Sequence, residues 1–356
     1  MDFGLSEEQQ LLQQTIGQFL ANENDPNQLR ARFDADEPLD AAFWKGMMEL
    51  GLGGLLVPEE FGGAGLEMID AAIVSEQMGY GAAPGPFLGH TLGGLAIALA
   101  GSDAQKKTWL PKLSTGDALA TVAFDEGDGA WLPEQWTIAG DRLSGTKRFV
   151  PYAAQADVIV VGTQGGGLAL VEPGDGTAIE DFDNVDRSRR LHTVTFDGAA
   201  AEALPDGAAA SPRVRDAGLV LLAADAFGGA SRLVEMSVEY AKTREQFGVT
   251  IGHFQALKHQ LANMELETEP SRALYWYAAH AYDAVPEDRE KMAALAKAHI
   301  TDRFMQVARD ATEAHGGIGY TWECDVQMWF KRAMFDRIWL GSPAVHRERV
   351  ARLADW

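Results

Sequence analysis

The chain has 356 residues and is strongly acidic, with 52 Asp and Glu against 30 Lys and Arg and a formal net charge of -22 at pH 7. A negative field of this size disfavours nucleic acid and anionic membrane surfaces as partners. The single cysteine, Cys324, excludes an intrachain disulfide framework and fits a reducing compartment. The start lacks a signal-peptide pattern and no apolar run reaches membrane-spanning length, so we expect a cytoplasmic protein without a membrane span.

The first third of the chain has the pattern of a helical domain. Ser6 with Gln9 three residues later forms a capping box. An apolar stripe follows it at helical spacing: Leu11, Leu12, Ile16 and Leu20. Beyond a Gly- and Pro-rich loop at residues 55–65, further helices are predicted at residues 68–79, 90–100 and 104–113. We therefore predict an N-terminal helical domain over residues 1–117.

The periodicity changes after residue 118. Residues 158–161, 168–171 and 191–196 are short apolar or alternating runs, rich in β-branched residues and separated by Gly, Asp and Pro. They predict strands of a small, barrel-like β domain over residues 118–211.

Helical periodicity returns in the last third of the chain. Long helices are predicted at residues 212–247, 255–282 and 287–315, with Pro270 expected to kink or open the middle one. Long helices joined by short connections pack as antiparallel neighbours, which predicts a four-helix bundle over residues 212–356 once the last segment is included. The fold class predicted for the whole chain is α+β.

Two segments of this last third have the features of a ligand site. Residues 240–264 read as a helix end, a glycine turn with Gly248 as left-handed C-cap, and a new helix, so that Arg244 projects at a junction. A plain helical hairpin with Arg244 paired to an acid is the alternative. In the second segment three glycines, Gly316, Gly317 and Gly319, follow a clear helix. Glycines can present backbone N–H groups to phosphate, although helix termination also explains them.

Taken together, three motifs resemble the C-terminal domain of the flavin-dependent acyl-CoA dehydrogenases: Arg-Glu-Gln-Phe-Gly at 244–248, Phe-Gln at 254–255 and His-Gly-Gly-Ile-Gly-Tyr at 315–320. Val-Pro-Glu-Glu-Phe-Gly-Gly at 57–63 and Gly-Pro-Phe-Leu at 85–88 resemble the N-terminal helical domain of that family. The resemblance covers essentially the whole chain. It implies FAD as cofactor, an acyl-CoA as substrate, an electron-transferring flavoprotein as electron acceptor, and a homodimer or homotetramer.

The same resemblance assigns the cofactor-binding residues. In the family, the Arg of the first motif reaches the pyrophosphate of a flavin held mainly by the neighbouring subunit. Carried over to this sequence, the flavin-binding set is Arg244, Phe247, Gln255, Gly316, Gly317 and Gly319.

Desaturation of an acyl-CoA also needs a carboxylate that removes a proton next to the thioester, while the flavin takes the hydride. The family places this carboxylate in one of two positions, which hold Leu340 and Gly218 in this chain. Asp225 lies two helical turns after Gly218, inside an apolar run, and is the one base candidate we predict within the chain. The alternative is a structural Asp225 that caps, pairs at an interface or hydrogen-bonds a neighbouring helix.

Three further positions depart from the family pattern. Residues 124–130 replace the usual Thr-Glu-Pro-x-x-Gly-Ser motif, Pro151 replaces a flavin-contacting Thr, and Glu313 replaces a frequent Gln. Three hypotheses follow: an FAD-dependent acyl-CoA dehydrogenase acting as a homo-oligomer, a non-catalytic subunit that lends residues to the flavin of a related second chain, and a helical scaffold that has lost flavin. Family members that act on bulky acyl-CoAs use the second arrangement.

Overall fold

The computed structural model describes residues 4–127 and 129–355. Asp128, which belongs to the divergent 124–130 stretch, lies outside the described residues. The chain packs into two units. The helical unit comprises Met1–Phe33, Ala72–Ala83 and Leu219–Trp356, and the sheet unit comprises Asp34–Ala71 and Pro84–Gly218. The linear three-domain boundaries predicted from the sequence stay a prediction.

Helices make up the N-terminal part, as predicted. They are α1 (Glu7–Glu23), α2 (Pro26–Asp34), α3 (Ala41–Glu49), α4 (Met68–Tyr80), α5 (Phe87–Ala100) and α6 (Asp103–Thr115). The capping box is confirmed: Ser6 Oγ accepts the Gln9 N–H at 3.2 Å, and the Gln9 side chain accepts the Ser6 N–H at 3.0 Å. Two donors that a helix start leaves without partners are thereby satisfied.

The middle of the chain forms two sheets within the sheet unit. The strands are β1 (Ala120–Ala123), β2 (Arg142–Pro151), β3 (Val158–Thr163), β4 (Gly167–Val171), β5 (Thr177–Phe182), β6 (Leu191–Ala200) and β7 (Glu202–Ala203). One sheet has the order β1-β3-β4-β7 and the other β2-β6-β5. β1 pairs with β3 in parallel, and all other pairs are antiparallel. The three predicted strand runs lie inside β3, β4 and β6.

The last third is again helical. Its helices are α7 (Gly207–Thr243), α8 (Gln255–Thr268), α9 (Pro270–Ala284), α10 (Pro286–Ala314), α11 (Val326–Ile338) and α12 (Pro343–Leu353). α10 packs against α8, α9, α11 and α12. A Cβ at Gly229 would lie 2.3 Å from the Phe304 ring, so a glycine lets α7 approach α10 closely. Pro270, which lacks an N–H, starts α9 and divides the predicted helix in two, as expected.

Two predicted details of α7 are corrected. The helix ends at Thr243 instead of Phe247, and residues 245–250 form a hairpin of β8 (Glu245–Gln246) and β9 (Val249–Thr250). Gly248, with φ 81°, is therefore no helix cap, because it shares the hairpin turn with Phe247, whose φ is 56°. Two consecutive residues with positive φ are what a tight two-residue hairpin turn requires.

The sequence predicted that no apolar run is long enough to span a membrane, and α7 corrects that prediction. By its length and composition, α7 is long and apolar enough to cross a membrane. However, 89% of its most apolar window is buried inside the protein, which is the property of a core helix.

Candidate functional site

A ring stack joins the two predicted cofactor segments within the helical unit. The rings of Tyr240 and His315 lie 4.5 Å apart between centroids, with an interplanar angle of 23°. Tyr240 is one helical turn before Arg244, whose N–H donates to the Tyr240 carbonyl at 2.8 Å. His315 directly precedes Gly316. The stack therefore fixes the ends of α7 and α10 side by side, next to both segments.

The first segment presents a cation and an aromatic ring to solvent. Arg244 is exposed, and among residues 4–127 and 129–355 its guanidinium has no hydrogen-bond or ion-pair partner. Phe247, at the tip of the hairpin, is 91% exposed and meets Phe254 edge to face at 6.0 Å. Gln255 starts α8 and its Nε2 lies 3.1 Å from His259 Nε2. These groups are accessible to a ligand from outside the chain.

The second segment separates the three predicted glycines into two kinds. A Cβ at Gly316 or Gly317 would meet no atom of the described chain within 4 Å, so the backbone at these positions faces open space. A Cβ at Gly319 would lie 2.3 Å from the Thr312 carbonyl oxygen. Gly319 is thus required for internal packing, whereas Gly316 and Gly317 leave room for a ligand against the backbone.

The two segments fit the phosphate end of FAD. An accessible guanidinium suits a pyrophosphate, the exposed backbone at Gly316 and Gly317 leaves room for it, and the exposed ring of Phe247, three residues after Arg244, suits an aromatic base. Glu313 is exposed near the end of α10, so its carboxylate is free to remain in solvent. The assignment of the individual residues to flavin binding stays a prediction.

The sheet unit is less suited to a flavin ring. Pro151, at the position of the family's flavin-contacting Thr, offers neither a hydroxyl nor an N–H, and its carbonyl accepts from Thr121 Oγ1. The neighbouring rings pack among themselves, because Phe149 lies 5.9 Å from Trp131 and 4.9 Å from Phe182 between centroids. The donors that the family uses at this place are absent from position 151.

The stretch that replaces the family's β-domain motif is occupied by an ion pair. Lys147 Nζ lies 2.7 Å from Glu126 Oε1 and donates to the Phe124 carbonyl at 3.2 Å. Burial lowers the pKa of Lys147 to about 8, although the nearby carboxylates favour its charged form. Glu126 also accepts the Thr137 N–H at 2.8 Å. Its carboxylate is therefore committed to holding this loop.

Asp225, the predicted base, is enclosed between helices. Its Oδ1 accepts from Arg332 Nε at 2.7 Å and its Oδ2 from Arg332 Nη2 at 2.6 Å. Asp225 is 1% exposed and Arg332 0% exposed. A Cβ at Gly79 would lie 1.9 Å from the Asp225 carbonyl oxygen, so the backbones of α4 and α7 touch at this point. Both carboxylate oxygens are occupied while this ion pair is intact, and the role of Asp225 as base stays a prediction.

The family's other base position holds a buried apolar side chain. Leu340 is 1% exposed with φ 59°, and its carbonyl lies 2.9 Å from His346 Nε2. The same loop is fixed by Lys297, whose Nζ donates to the carbonyls of Asp336, Arg337 and Gly341. Burial lowers the pKa of Lys297 to about 7. The loop keeps its shape without a carboxylate at its tip.

Sequence reasoning missed Lys297 and Arg332. Both lie at helical spacing among buried apolar residues: Lys297 stands between Ala293 and Ile300 on α10, and Arg332 follows Trp329 on α11. A charged residue on an otherwise apolar helix face was the signal that could have found them, because such a residue must be paired.

Comparison with known proteins places the chain in a family. Residues 216–354 match the model described as "Acyl-CoA dehydrogenase, C-terminal domain", and residues 6–117 match "Acyl-CoA dehydrogenase, N-terminal domain". The chain is 33% identical to the "Acyl-CoA dehydrogenase IpdE2" of Mycolicibacterium smegmatis over 350 residues, which cover 98% of each protein.

Solved structures give the same result. The structure described as "Tcur3481-Tcur3483 steroid ACAD G363A variant" matches with a TM-score of 0.90 and 32% identity over 98% of each chain. The "ChsE4-ChsE5 complex from Mycobacterium tuberculosis" matches with a TM-score of 0.88 and 26% identity over 100% of this chain and 99% of the other. These similarities confirm the predicted fold of an N-terminal helical domain, a middle β-sheet domain and a C-terminal helical domain. The chain belongs to the acyl-CoA dehydrogenase family.

Proposed function

We propose that this chain is the non-catalytic subunit of a two-chain, FAD-dependent acyl-CoA dehydrogenase. One observation carries the proposal: the positions where the family keeps its base hold Leu340 and Gly218, and the nearest substitute, Asp225, has both oxygens paired with Arg332. A carboxylate enclosed in this way cannot reach a substrate proton, because a base must lie within hydrogen-bonding distance of it.

The role of this chain is to bind and orient the phosphate end of the flavin. The family typically binds FAD. When bound, FAD supplies the hydride acceptor for α,β-desaturation of an acyl-CoA thioester. The Arg244 guanidinium would neutralise the pyrophosphate, the backbone at Gly316 and Gly317 would donate N–H groups to it, and Phe247 with Gln255 would line the same surface. The base comes from the second chain.

The similarity to two-chain proteins supports this assignment. Two of the matching structures are each named for a pair of proteins, and one of them is called a steroid ACAD. We assign to this chain a related second subunit and, as substrate, the acyl-CoA thioester of a bulky, ring-bearing acid. Electron-transferring flavoprotein is the electron acceptor we expect for the assembly.

The alternative is a complete homo-oligomeric enzyme in which Asp225 is the base. It requires the Arg332 side chain to release Asp225 when substrate binds. A flavin-free scaffold is the third possibility. The exposed Arg244 and the open backbone at Gly316 and Gly317 argue against it, since neither feature contributes to the packing of the chain.

Flavin stoichiometry separates these possibilities. The protein is purified alone and from its native host, flavin per chain is measured by absorbance, and each sample is titrated anaerobically with acyl-CoAs of increasing bulk. We expect little flavin on the isolated chain, and a related second chain in the native sample whose flavin is bleached by a bulky acyl-CoA. An isolated chain that holds about one flavin and is bleached would overturn the proposal.

A substitution tests the base directly. Asp225→Asn is compared with Asp216→Asn, because Asp216 is also buried and also accepts two bonds from an arginine, Arg215, at 3.0 and 2.8 Å. Loss of a general base costs roughly 10²–10⁴-fold in turnover. We expect the two variants to change turnover per folded complex to a similar extent. A loss of that size confined to Asp225→Asn would establish Asp225 as the base.

A further inference from the structure

We propose that α2 acts as a clamp that positions the exposed Gly316–Tyr320 segment for the flavin. The clamp consists of Arg30 and Phe33, which lie one helical turn apart on α2. This inference rests on the proposed function, because it assigns positioning residues to the same cofactor surface. Nothing in the pattern of the sequence connects α2 with that segment, from which it is separated by nearly the whole chain.

Arg30 holds the backbone that begins two residues after the segment. Its Nη1 donates to the Trp322 carbonyl at 2.7 Å and its Nη2 to the Glu323 carbonyl at 3.2 Å. The same Nη2 forms an ion pair with Asp325, the residue that precedes α11. A guanidinium has a fixed, forked set of donors, so three acceptors on one turn of chain fix that turn in one conformation.

Phe33 packs against the side chain of Trp322 in the same turn. It is 2% exposed and its ring lies 6.0 Å from the Trp322 ring at an angle of 59°. Lys331 completes the arrangement, since its Nζ lies 4.0 Å from the centroid of Trp322 and 5.0 Å from that of Phe33. Although Trp322 is 48% exposed, its ring is therefore held from two sides.

The clamp matters because the segment has little packing of its own. Gly316 and Gly317 face open space, and Ile318 and Tyr320 are 45% and 72% exposed. Gly319 packs inward, the Tyr240–His315 stack fixes the beginning of the segment, and the clamp fixes its end. A binding backbone that is ordered before the ligand arrives loses less entropy on binding, so the clamp raises flavin affinity without touching the flavin.

The test uses the full chain as purified, together with any second chain that accompanies it. Amide hydrogen exchange is measured over residues 316–325, and FAD affinity is measured by fluorescence titration. The variants are Arg30→Ala and Arg30→Lys. The matched control is Arg32→Ala, on the same helix, whose guanidinium donates to the Glu23 carbonyl and to Asn24 Oδ1 at the end of α1.

We expect Arg30→Ala to speed exchange over residues 316–325 and to weaken FAD binding, each by about tenfold. Arg30→Lys keeps the charge, but the lysine ammonium cannot reach all three oxygens. Amide exchange at residues 322–323 should therefore be as fast in Arg30→Lys as in Arg30→Ala. Arg32→Ala should leave both quantities unchanged while lowering the melting temperature as much as Arg30→Ala does.

Unchanged amide exchange over residues 316–325 in Arg30→Ala would overturn the clamp, whatever the FAD affinity of that variant. Faster exchange with unchanged FAD affinity would overturn its positioning role. If the native assembly of the unsubstituted chain with its second subunit binds no FAD, the proposed function fails, and the exchange data still decide separately whether α2 orders the segment.

Discussion

The interior of the helical unit and its exposed segments use charge in opposite ways. In the interior, Asp225 is paired with Arg332 and Lys297 is surrounded by carbonyl groups. At the surface, the Arg244 guanidinium has no partner among the described residues and the backbone at Gly317 faces open space. Groups capable of acid–base chemistry are thus committed to holding the fold, while groups suited to binding remain accessible. This difference is what the proposed role of a non-catalytic subunit requires.

Glu76 extends the pattern of committed acids. Its carboxylate accepts the Tyr275 hydroxyl, and lies 3.4 Å from Gln13 Nε2 and 3.5 Å from Arg272 Nη1. Burial raises the pKa of Glu76, while the Tyr275 and Arg272 contacts oppose that shift. A second carboxylate of the interior is therefore enclosed by its own partners on α1 and α9 and is unavailable to a substrate.

The largest effect is expected from breaking the central ion pair. Arg332→Ala leaves the Asp225 carboxylate buried and unpaired, so the free energy of unfolding should fall by about 3–5 kcal/mol. Urea denaturation at pH 7 measures this loss of unfolding free energy. The double variant Asp225→Leu with Arg332→Met is the control, because it removes both charges and should recover most of the loss. A loss below about 1 kcal/mol in the single variant would show that the pair does not hold the interior.

The two kinds of glycine give the next largest effect. Gly319→Ala places a methyl group against the Thr312 carbonyl, and overpacking of this sort costs about 1–3 kcal/mol of unfolding free energy. Gly317→Ala meets no atom within 4 Å, so its cost should stay within about 0.5 kcal/mol. Thermal melts give the stability, and FAD titration should reveal weaker binding in Gly317→Ala. Equal destabilisation by both changes would erase the distinction between packing and binding glycines.

Lys297 predicts a pH dependence of stability. Burial lowers its pKa to about 7 in the folded chain, below the value of an exposed lysine, so above pH 7 the unfolded chain binds more protons and stability should rise with pH. The contribution is at most about 1.4 kcal/mol per pH unit. Urea denaturation from pH 6.5 to 8.5 should show this rise relative to Lys297→Met, which removes the titrating group. A difference between the two proteins that is constant with pH would contradict the prediction.

The smallest effect on stability is expected at Arg244. Because its side chain is exposed and lacks a partner in the described chain, Arg244→Gln should change the free energy of unfolding by less than about 0.5 kcal/mol. FAD affinity of the native assembly should nevertheless fall at least about tenfold, since a charge-assisted contact to phosphate is lost. The control is Arg352→Gln, because Arg352 is also exposed and its Nη2 lies 2.9 Å from Glu348 Oε1. Equal FAD affinity in both variants would remove Arg244 from the cofactor surface.

The sequence by itself determined the features that depend on local order. Short apolar or alternating runs located β3, β4 and β6, the Ser6 capping box located the start of α1, and the spaced motifs indicated the family. The absence of a carboxylate at Leu340 and Gly218 was also readable, because it depends only on which residue occupies a position. Local propensity was least informative at the end of α7. There the sequence predicted a helix followed by a turn, whereas residues 245–250 form a hairpin.

Only the tertiary structure decided which group Asp225 contacts. Arg332, its partner, is 107 residues away, and a buried acid in an apolar run reads equally as a base or as half of an ion pair. The different surroundings of Gly319 and Gly317 depend likewise on segments that meet only after folding. The same is true of the contacts between Arg30 and residues 322–325. Periodicity along a chain encodes which face of a helix is buried, but the identity of the group against that face depends on how the helices pack.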